Sequence, residues 1–87
     1  MIYKLIVEAP AQEFLEKLYY SDRSHFARVD KAIQSLQTNP FQGKPLQLKF
    51  KGRLSLRVGV YRIIYRIESH IITVVVLDVG HRKDIYN

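Results

Sequence analysis

The sequence contains no cysteine and only three histidines, and these shortages exclude several kinds of site. Without cysteine there is no disulfide scaffold and no thiolate that could bind a metal or carry redox chemistry. The histidines His25, His70 and His81 are scattered along the chain, so a structural zinc site is not expected. We therefore predict a protein that uses neither a metal nor a cofactor.

Long hydrophobic runs are also missing. The apolar run at residues 74–77 is far shorter than the roughly 20 residues of a membrane-spanning helix. Lys4 and Glu8 interrupt the apolar N-terminal residues, so no secretory signal is expected. The length of 87 residues and the apolar content of 47% suit one compact domain. We expect a single cytoplasmic domain over residues 1–87, with no membrane contact.

Acidic residues are absent from the middle of the chain. Residues 31–67 carry eight bases and no acid, whereas the segments on either side each have a net charge of −1, which gives +6 in total. Such a segment favours a polyanionic partner such as nucleic acid. The alternative is a solvated basic surface that serves solubility alone.

The hydrophobic period changes from helical to alternating near the middle of the chain. The predicted elements are a strand at residues 2–7, helices at 10–20 and from Ser21-Asp22 to Asn39-Pro40, and strands at 46–49, 54–58, 61–67 and 71–79. This order predicts an α+β fold with an N-terminal strand and an antiparallel two-helix hairpin. A mainly antiparallel sheet of three to four strands follows.

A hairpin is predicted around Gly59, which separates two alternating runs. Gly59 and Val60 are the expected loop residues of a type II′ turn. The predicted cross-strand pairs are Val58 with Tyr61, Arg57 with Arg62, Leu56 with Ile63, and Arg53 with Arg66. Apolar side chains then face the helices, and the opposite face carries Arg53, Ser55, Arg57, Arg62, Ile64 and Arg66.

The two arginine pairs of this hairpin suggest an external anion. Like charges at facing positions destabilise a sheet by up to roughly 1 kcal/mol per pair. A planar guanidinium can bind two phosphate oxygens at once, which favours phosphate as the missing partner. The pattern therefore predicts a phosphate-binding sheet face.

A second cluster of functional side chains closes the sequence, after the last predicted strand. It reads Gly80-His81-Arg82-Lys83-Asp84-Ile85-Tyr86. His81 can exchange a proton near neutral pH, Arg82 can hold a phosphate, and Tyr86 can stack on a base or donate a hydrogen bond. Each residue taken alone also has an ordinary structural role, so the clustering beside an arginine-lined face carries the functional interpretation.

Together, the motifs Arg-Val-Gly-x-Tyr-Arg (residues 57–62) and Gly-His-Arg-Lys-x-x-Tyr (residues 80–86) resemble the RelE/ParE toxin superfamily. The resemblance is closer to the RelE branch, whose members cleave messenger RNA in the ribosomal A site. It implies a RelE-like fold of the microbial ribonuclease type and a metal-independent endoribonuclease that uses the 2′-hydroxyl of its substrate. The alternatives are a ParE-like protein that poisons DNA gyrase without catalysis, or an inactive RNA-binding domain.

The resemblance also implies roles for individual residues. Arg62 matches the arginine that holds the scissile phosphate, and Arg82 matches the second arginine of the C-terminal motif. Tyr86 resembles the tyrosine that stacks on the substrate base or assists proton transfer. His81 matches a position that is lysine in some relatives and a catalytic histidine in others. The substrate-binding candidates are Arg53, Ser55, Arg57, Arg66 and Lys83.

One departure from the family pattern concerns the strand before Gly59. Well-known members carry two lysines where this chain has Arg53 and Ser55. Arginine is a poor proton donor or acceptor, and serine lacks the charge, so the general base is left open.

The implied partners are messenger RNA, the ribosome and a cognate antitoxin encoded by the adjacent gene. We expect the antitoxin to be acidic and partly disordered. Its carboxylates would lie near the hairpin arginines, or it would displace the segment from Arg82 to Tyr86.

Overall fold

The computed structural model describes residues 1–85 and contains two α-helices and five β-strands in that range. In chain order they are β1 (Lys4–Val7), α1 (Ala9–Ser21), α2 (Arg23–Ser35), β2 (Lys44–Pro45), β3 (Leu54–Val58), β4 (Tyr61–Glu68) and β5 (Thr73–His81). Short 3-10 turns occur at Pro40–Gln42, Leu48–Phe50 and Ser69–Ile71. Across the described range, neither α-helix has the length and apolar character needed to cross a membrane.

All five strands form one sheet with the order β1-β5-β4-β3-β2. β1 runs parallel to β5, and the other neighbouring strands are antiparallel. The predicted α+β class and mainly antiparallel sheet are confirmed. The strand count is larger than expected because the N-terminal strand joins the same sheet, beside the C-terminal strand.

Both helices begin within one residue of the predicted start. Pro10 lies in the first turn of α1, where its missing N–H does not cost a hydrogen bond. The Asp22 carboxylate caps α2 by accepting the His25 backbone N–H at 3.2 Å, and it also contacts the His25 ring Nδ1 at 2.5 Å. These two hydrogen bonds lower the pKa of Asp22. α2 ends at Ser35, earlier than Asn39-Pro40, and a turn fills the gap.

The helices pack on one face of the sheet, and the core lies between the two layers. Alternate residues of the hairpin, such as Leu56 and Val58, pack against this core, as their spacing predicts. The buried core residues are Ala11, Leu15, Leu18, Val29, Ile33, Leu36, Ile63, Tyr65, Val74, Val76 and Val79. We call the opposite side of the sheet the outer face.

The β3–β4 hairpin has the predicted register over its paired length. Arg57 faces Arg62, and Gly59 has φ +61°, the left-handed value that the turn requires. The expected pairing of Arg53 with Arg66 is wrong, because β3 begins at Leu54. The backbone of Arg53 instead follows a turn, donating to the Phe50 carbonyl at 3.1 Å.

The prediction of a strand at residues 46–49 is also wrong. The observed strand β2 is two residues long, Lys44–Pro45, and residues 48–50 form a 3-10 turn instead. Leu48 has φ +56°, which ends the extended backbone at that point.

A buried tyrosine hydroxyl explains the position of β2. The Tyr65 hydroxyl donates to the Pro40 carbonyl at 2.7 Å and accepts the Gly43 N–H at 2.9 Å. A Cβ at Gly43 would lie 2.5 Å from that hydroxyl, so this approach requires glycine. These contacts hold the residues before Lys44 against the sheet.

The last strand is displaced relative to the prediction of residues 71–79. Ile72 has φ +48°, and the extended backbone of β5 begins only at Thr73. The strand then continues through Gly80 and His81, which were expected to lie in a loop. Because Gly80 and His81 belong to the strand, their directions are fixed by its alternation.

Candidate nucleic-acid interface

The outer face of the sheet carries two neighbouring rows of paired residues. One row runs from Arg57 through Arg62 to Gly80. The other row runs through Lys44, Ser55 and Ile64. Facing residues of paired strands project to the same side, and the alternate residues of β4 lie in the core, so both rows lie on the outer face.

A shallow cavity of about 290 Å³ lies where these two rows meet. We call it the Arg57–Arg62 cavity; it is lined by Gln42, Lys44, Ser55, Leu56, Arg57 and Arg62. Three of these described lining residues are cationic and none is acidic. The cavity therefore has the charge and the donors expected of an anion site.

The side chains of this cavity differ in exposure. Arg57 is exposed, and its Nε donates to the Gly59 carbonyl at 3.4 Å. The Arg62 Nε is buried, whereas the residue as a whole is half-buried. Ser55 is buried at the floor, with 6% of its surface exposed. A phosphate entering the cavity would meet an exposed guanidinium at its rim and a more enclosed one behind it.

The other two hairpin arginines lie outside this cavity, so the structure brings one arginine pair, not four arginines, into it. Arg53 lines a separate cavity of about 220 Å³ that also contains Asp78. The Arg66 Nε donates to the Glu68 Oε1 at 2.6 Å. Glu68 is two residues beyond Arg66 on β4 and shares its face, which a charge count ending at residue 67 does not reveal.

The C-terminal turn folds back beside the Arg57–Arg62 cavity. The Arg82 N–H donates to the Val60 carbonyl at 2.8 Å, and the Arg82 and Lys83 residues are exposed. A Cβ added to Gly80 would lie 3.0 Å from the Ile85 Cδ1, so Ile85 covers Gly80 on the outer face. Since Gly80 pairs with Arg62, the turn adjoins the arginine row. Tyr86 lies outside the described residues.

His81 projects to the opposite side of the sheet from Arg62. It faces Tyr61 in the β4–β5 pairing, and their rings are 6.1 Å apart in an edge-to-face arrangement. The Tyr61 ring also contacts Phe14 and His25, at 5.8 and 5.6 Å, which places this group on the helix side. The His81 Nδ1 accepts the backbone N–H of the C-terminal turn at Lys83, at 3.2 Å. The structure thus brings Arg57 and Arg62 together, but not His81.

Sequence reasoning missed Lys44 and Gln42 as lining residues of the Arg57–Arg62 cavity. Lys44 belongs to the acid-free segment, but placing a strand at residues 46–49 left it in a loop. Pro45 was the available signal, because proline in a sheet is confined to edge strands, strand ends and bulges.

A larger cavity of about 470 Å³ lies at the helix side and has a different character. Its lining includes Tyr19, Tyr20 and Phe26, together with the acidic Glu16 and Asp30, and no basic residue among those described. It does not suit a phosphate, and of these two cavities the Arg57–Arg62 cavity is the better candidate for an anionic ligand. A third cavity, of about 390 Å³, has Arg28, Lys31 and Arg57 in its lining and no acidic residue among those described, so the basic surface continues past Arg57 toward α2.

Comparison with known proteins gives the same assignment from sequence and from fold. Over 61 residues the chain is 46% identical to toxin RelG of Mycobacterium tuberculosis, a match that covers 69% of this chain and 70% of the relative. The structure matches one from the RelBE2 toxin–antitoxin complex of the same organism, with a TM-score of 0.82 and 36% identity over 94% of this chain and 100% of the other.

A more distant match supports the fold alone. A mutant of the Escherichia coli toxin RelE in the free state has a TM-score of 0.78 and 18% identity, with 99% of this chain and 90% of the other covered.

The family model described as the ParE toxin of the type II toxin–antitoxin system parDE matches residues 5–86. The chain therefore belongs to this toxin family, within the RelE/ParE toxin superfamily.

Proposed function

We propose that this toxin is an endoribonuclease that cleaves messenger RNA in the ribosomal A site. The observation that carries the proposal is the Arg57–Arg62 cavity, in which two facing guanidiniums and an ammonium surround a space with no acidic residue among its described lining. The closer resemblance of the two motifs to the RelE branch, together with the similarity to a toxin of the RelBE2 complex, supports ribonuclease chemistry over another use of an anion site.

In the proposed reaction the substrate supplies its own nucleophile. The 2′-oxygen attacks the neighbouring phosphorus, and the bond from phosphorus to the 5′-oxygen breaks. A proton leaves the 2′-hydroxyl and another reaches the departing 5′-oxygen, so the products are a 2′,3′-cyclic phosphate and a 5′-hydroxyl. The protein has to align the 2′-oxygen with the phosphorus and stabilise the charge that develops on the phosphate oxygens.

Arg62 and Arg57 are proposed to provide this alignment and charge stabilisation. Fixed cationic donors around a developing charge are often the largest single contribution to catalysis, and a pair of guanidiniums can engage several phosphate oxygens. Arg82 and Lys83 are exposed on the adjacent turn, where they can contact the flanking RNA backbone. Arg53 and Arg66 have other neighbours and are proposed to contribute only to the general basic field.

Few side chains near the cavity can donate or accept the protons that the reaction moves. The predicted candidates are His81 and Tyr86. Because His81 projects to the helix side, we propose that it holds the C-terminal turn in place through Lys83 rather than exchanging a proton. Arginine-driven cleavage with an incomplete acid–base pair fits a toxin that depends on the ribosome, since ribosomal RNA can fix the geometry of the messenger.

A cognate antitoxin is part of the same proposal. The RelBE2 structure, which is 36% identical to this chain, is that of a toxin–antitoxin complex. A charge of +8 in residues 31–67, within a total of +6 for the chain, favours an acidic antitoxin segment that folds onto the basic surface.

The decisive experiment is primer extension on cellular messenger RNA after induction of the toxin. The wild type is expected to produce new cuts in register with the reading frame. Arg62→Ala is expected to lose roughly 2–4 kcal/mol of transition-state stabilisation, which reduces cleavage by about 30- to 900-fold. Arg66→Ala is the matched control, because it removes the same charge from the same strand and face but lies outside the Arg57–Arg62 cavity.

Three outcomes would contradict the proposal. Gyrase-dependent DNA breaks without messenger RNA cuts would assign the toxin to the gyrase-poisoning alternative. Folded Arg62→Ala protein, verified by circular dichroism and thermal melting, that cleaves like the wild type would remove Arg62 from the site. Equal losses in Arg62→Ala and Arg66→Ala would indicate a diffuse charge effect rather than a localised phosphate site.

A further inference from the structure

We propose that Lys44 is a third phosphate-binding residue of the Arg57–Arg62 cavity and contacts the RNA backbone beside the two arginines. The inference deepens the proposed function, since it takes single-stranded RNA as the ligand. It adds a residue that neither the motifs nor the family resemblance singles out.

The sheet register directs Lys44 toward the arginines. Lys44 pairs with Ser55, and Ser55 is two residues from Arg57 on β3, which corresponds to about 7 Å along the strand. Both rows lie on the outer face, and Lys44 lines the same 290 Å³ cavity as Arg57 and Arg62. An ammonium on a four-carbon stem can therefore reach a phosphate that the guanidiniums hold.

Charge is the second argument. Lys44 is exposed and forms no ion pair with a carboxylate in residues 1–85, whereas Arg66, elsewhere on the same sheet, has Glu68. A third cation placed beside two facing guanidiniums adds repulsion to the folded state. An anion bound in the cavity relieves that repulsion, and a polyanionic RNA strand offers a phosphate at each nucleotide.

The backbone around Lys44 is held in place, which suits a binding residue. The Tyr65 hydroxyl fixes Gly43 and Pro40 just before it, and the Leu46 N–H donates to the Arg53 carbonyl at 2.9 Å just after it. A side chain that starts from a fixed backbone loses less conformational freedom on binding. A two-residue strand anchored on both sides thus presents the ammonium to the cavity.

The ordinary explanation for Lys44 is protection of an exposed sheet edge. Lysine on an edge strand discourages pairing with other chains, and β2 is one edge of this sheet. Lys4 provides a matched control, because it is an exposed lysine on β1, the opposite edge. If both lysines only protect an edge, substituting either one should have the same effect on RNA binding. If Lys44 binds phosphate in the cavity, only its substitution should weaken binding.

The test measures binding of a single-stranded 2′-O-methyl RNA, which has no 2′-hydroxyl and cannot be cleaved by the proposed route. Fluorescence anisotropy is recorded between about 50 and 200 mM salt for the wild type, Lys44→Ala, Lys44→Arg and Lys4→Ala. Lys44→Ala is expected to weaken binding roughly fivefold and to reduce the slope of log affinity against log salt by about 0.7, the loss of one phosphate contact. Lys44→Arg and Lys4→Ala are expected to retain the wild-type slope.

The outcomes separate this inference from the proposed function. Equal slopes for Lys44→Ala and Lys4→Ala, or no salt-dependent binding by the wild type, would overturn the role of Lys44 whatever the cleavage assay gives. A salt slope reduced by about 0.7 in Lys44→Ala, together with no messenger RNA cleavage by the wild type, would support phosphate binding by Lys44 and reject the nuclease. Thermal melting of each variant excludes loss of folding as the cause.

Discussion

Arg57 and Arg62 face each other across two hydrogen-bonded strands, a position at which like charges destabilise a sheet. Their repulsion opposes folding by up to roughly 1 kcal/mol, a modest amount that water and salt reduce at an exposed site. The arrangement becomes favourable when a phosphate binds between the side chains. The same two residues therefore weaken the free protein slightly and, in the proposed function, form its phosphate site.

The side of the sheet on which His81 lies distinguishes two roles for it, positioning the C-terminal turn and exchanging a proton with the substrate. Its Nδ1 accepts the Lys83 N–H, and its ring packs edge-on against Tyr61. These contacts assign it to the inner face and to the C-terminal turn. A proton-exchanging histidine would instead need its ring within hydrogen-bonding reach of the substrate oxygens.

Two substitutions of His81 distinguish these roles. Asparagine can replace the Nδ1 acceptor, whereas glutamine places its amide nearer the position of Nε2. If His81 positions the turn, His81→Asn should keep messenger RNA cleavage close to the wild-type rate and His81→Gln should lower it more. The measurement is the cleavage rate in a purified translation system with a fixed amount of ribosomes.

A loss of about two orders of magnitude in both variants, with ribosome binding retained, would instead identify His81 as the acid or base. Hydrogen exchange at the Lys83 amide provides an independent readout. It should accelerate in His81→Gln if the turn is released, and a proton-transfer role alone predicts no such change.

At the scale of elements, the two-residue strand β2 is too short to be stable by its own hydrogen bonds. Its position depends on the Tyr65 hydroxyl, which spans from the core of β4 to the backbone at Pro40 and Gly43. The loop that carries Lys44 is thus coupled to a fully buried residue of the central strand.

Removing that hydroxyl should affect the loop and the stability together. Tyr65→Phe leaves the Gly43 N–H and the Pro40 carbonyl without this partner, and we expect the free energy of unfolding to fall by roughly 1–3 kcal/mol. Urea denaturation measures the change. RNA binding should weaken in parallel with Lys44→Ala, because β2 no longer holds the ammonium in the cavity.

Alkaline pH provides the control for Tyr65. Burial raises the pKa of its hydroxyl above the ordinary value of 10.0, although the hydrogen bond from Gly43 opposes the change. The stabilisation linked to this group is complete below pH 10 and is lost as the pH rises through the raised pKa. The stability difference between wild type and Tyr65→Phe should therefore shrink in that alkaline range, and a constant difference would contradict the role of the hydroxyl.

At the scale of the whole molecule, two cavities on opposite sides of the sheet differ in charge. The basic residues of the Arg57–Arg62 cavity lie on the outer face, whereas Glu16 and Asp30 line the cavity at the helix side. An acidic chain is therefore attracted to the Arg57–Arg62 cavity and repelled from the cavity between the helices. This difference in charge predicts that the acidic antitoxin binds at the Arg57–Arg62 cavity and not between the helices.

The adjacent open reading frame is expected to encode the antitoxin, and co-expression with a tag on one chain tests the partnership. Both chains should be recovered together at low salt, and raising the salt should weaken the complex because carboxylates pair with basic residues. Double substitution of Arg57 and Arg62 by alanine should weaken it further. Recovery of the toxin alone, in high yield and without growth arrest, would contradict both the partner and the toxic activity.

Short-range features of the sequence determined the helices and the hairpin. Pro10 and Asp22 mark the helix starts because capping and proline geometry act within one turn of the backbone. Gly59 and the alternation around it set the register that brings Arg57 opposite Arg62, because a two-residue turn leaves no freedom in the pairing that follows. The pairing of Arg57 with Arg62 could therefore be predicted from the sequence alone.

The tertiary structure decided what depends on contacts between distant residues. The position of β2, and with it Lys44, follows from Tyr65, more than twenty residues away in the sequence. The face on which His81 lies follows from how far β5 extends beside β4. No local pattern specifies either contact, because each is selected by the packing of the assembled sheet, and these contacts determine which of the charged side chains share one site.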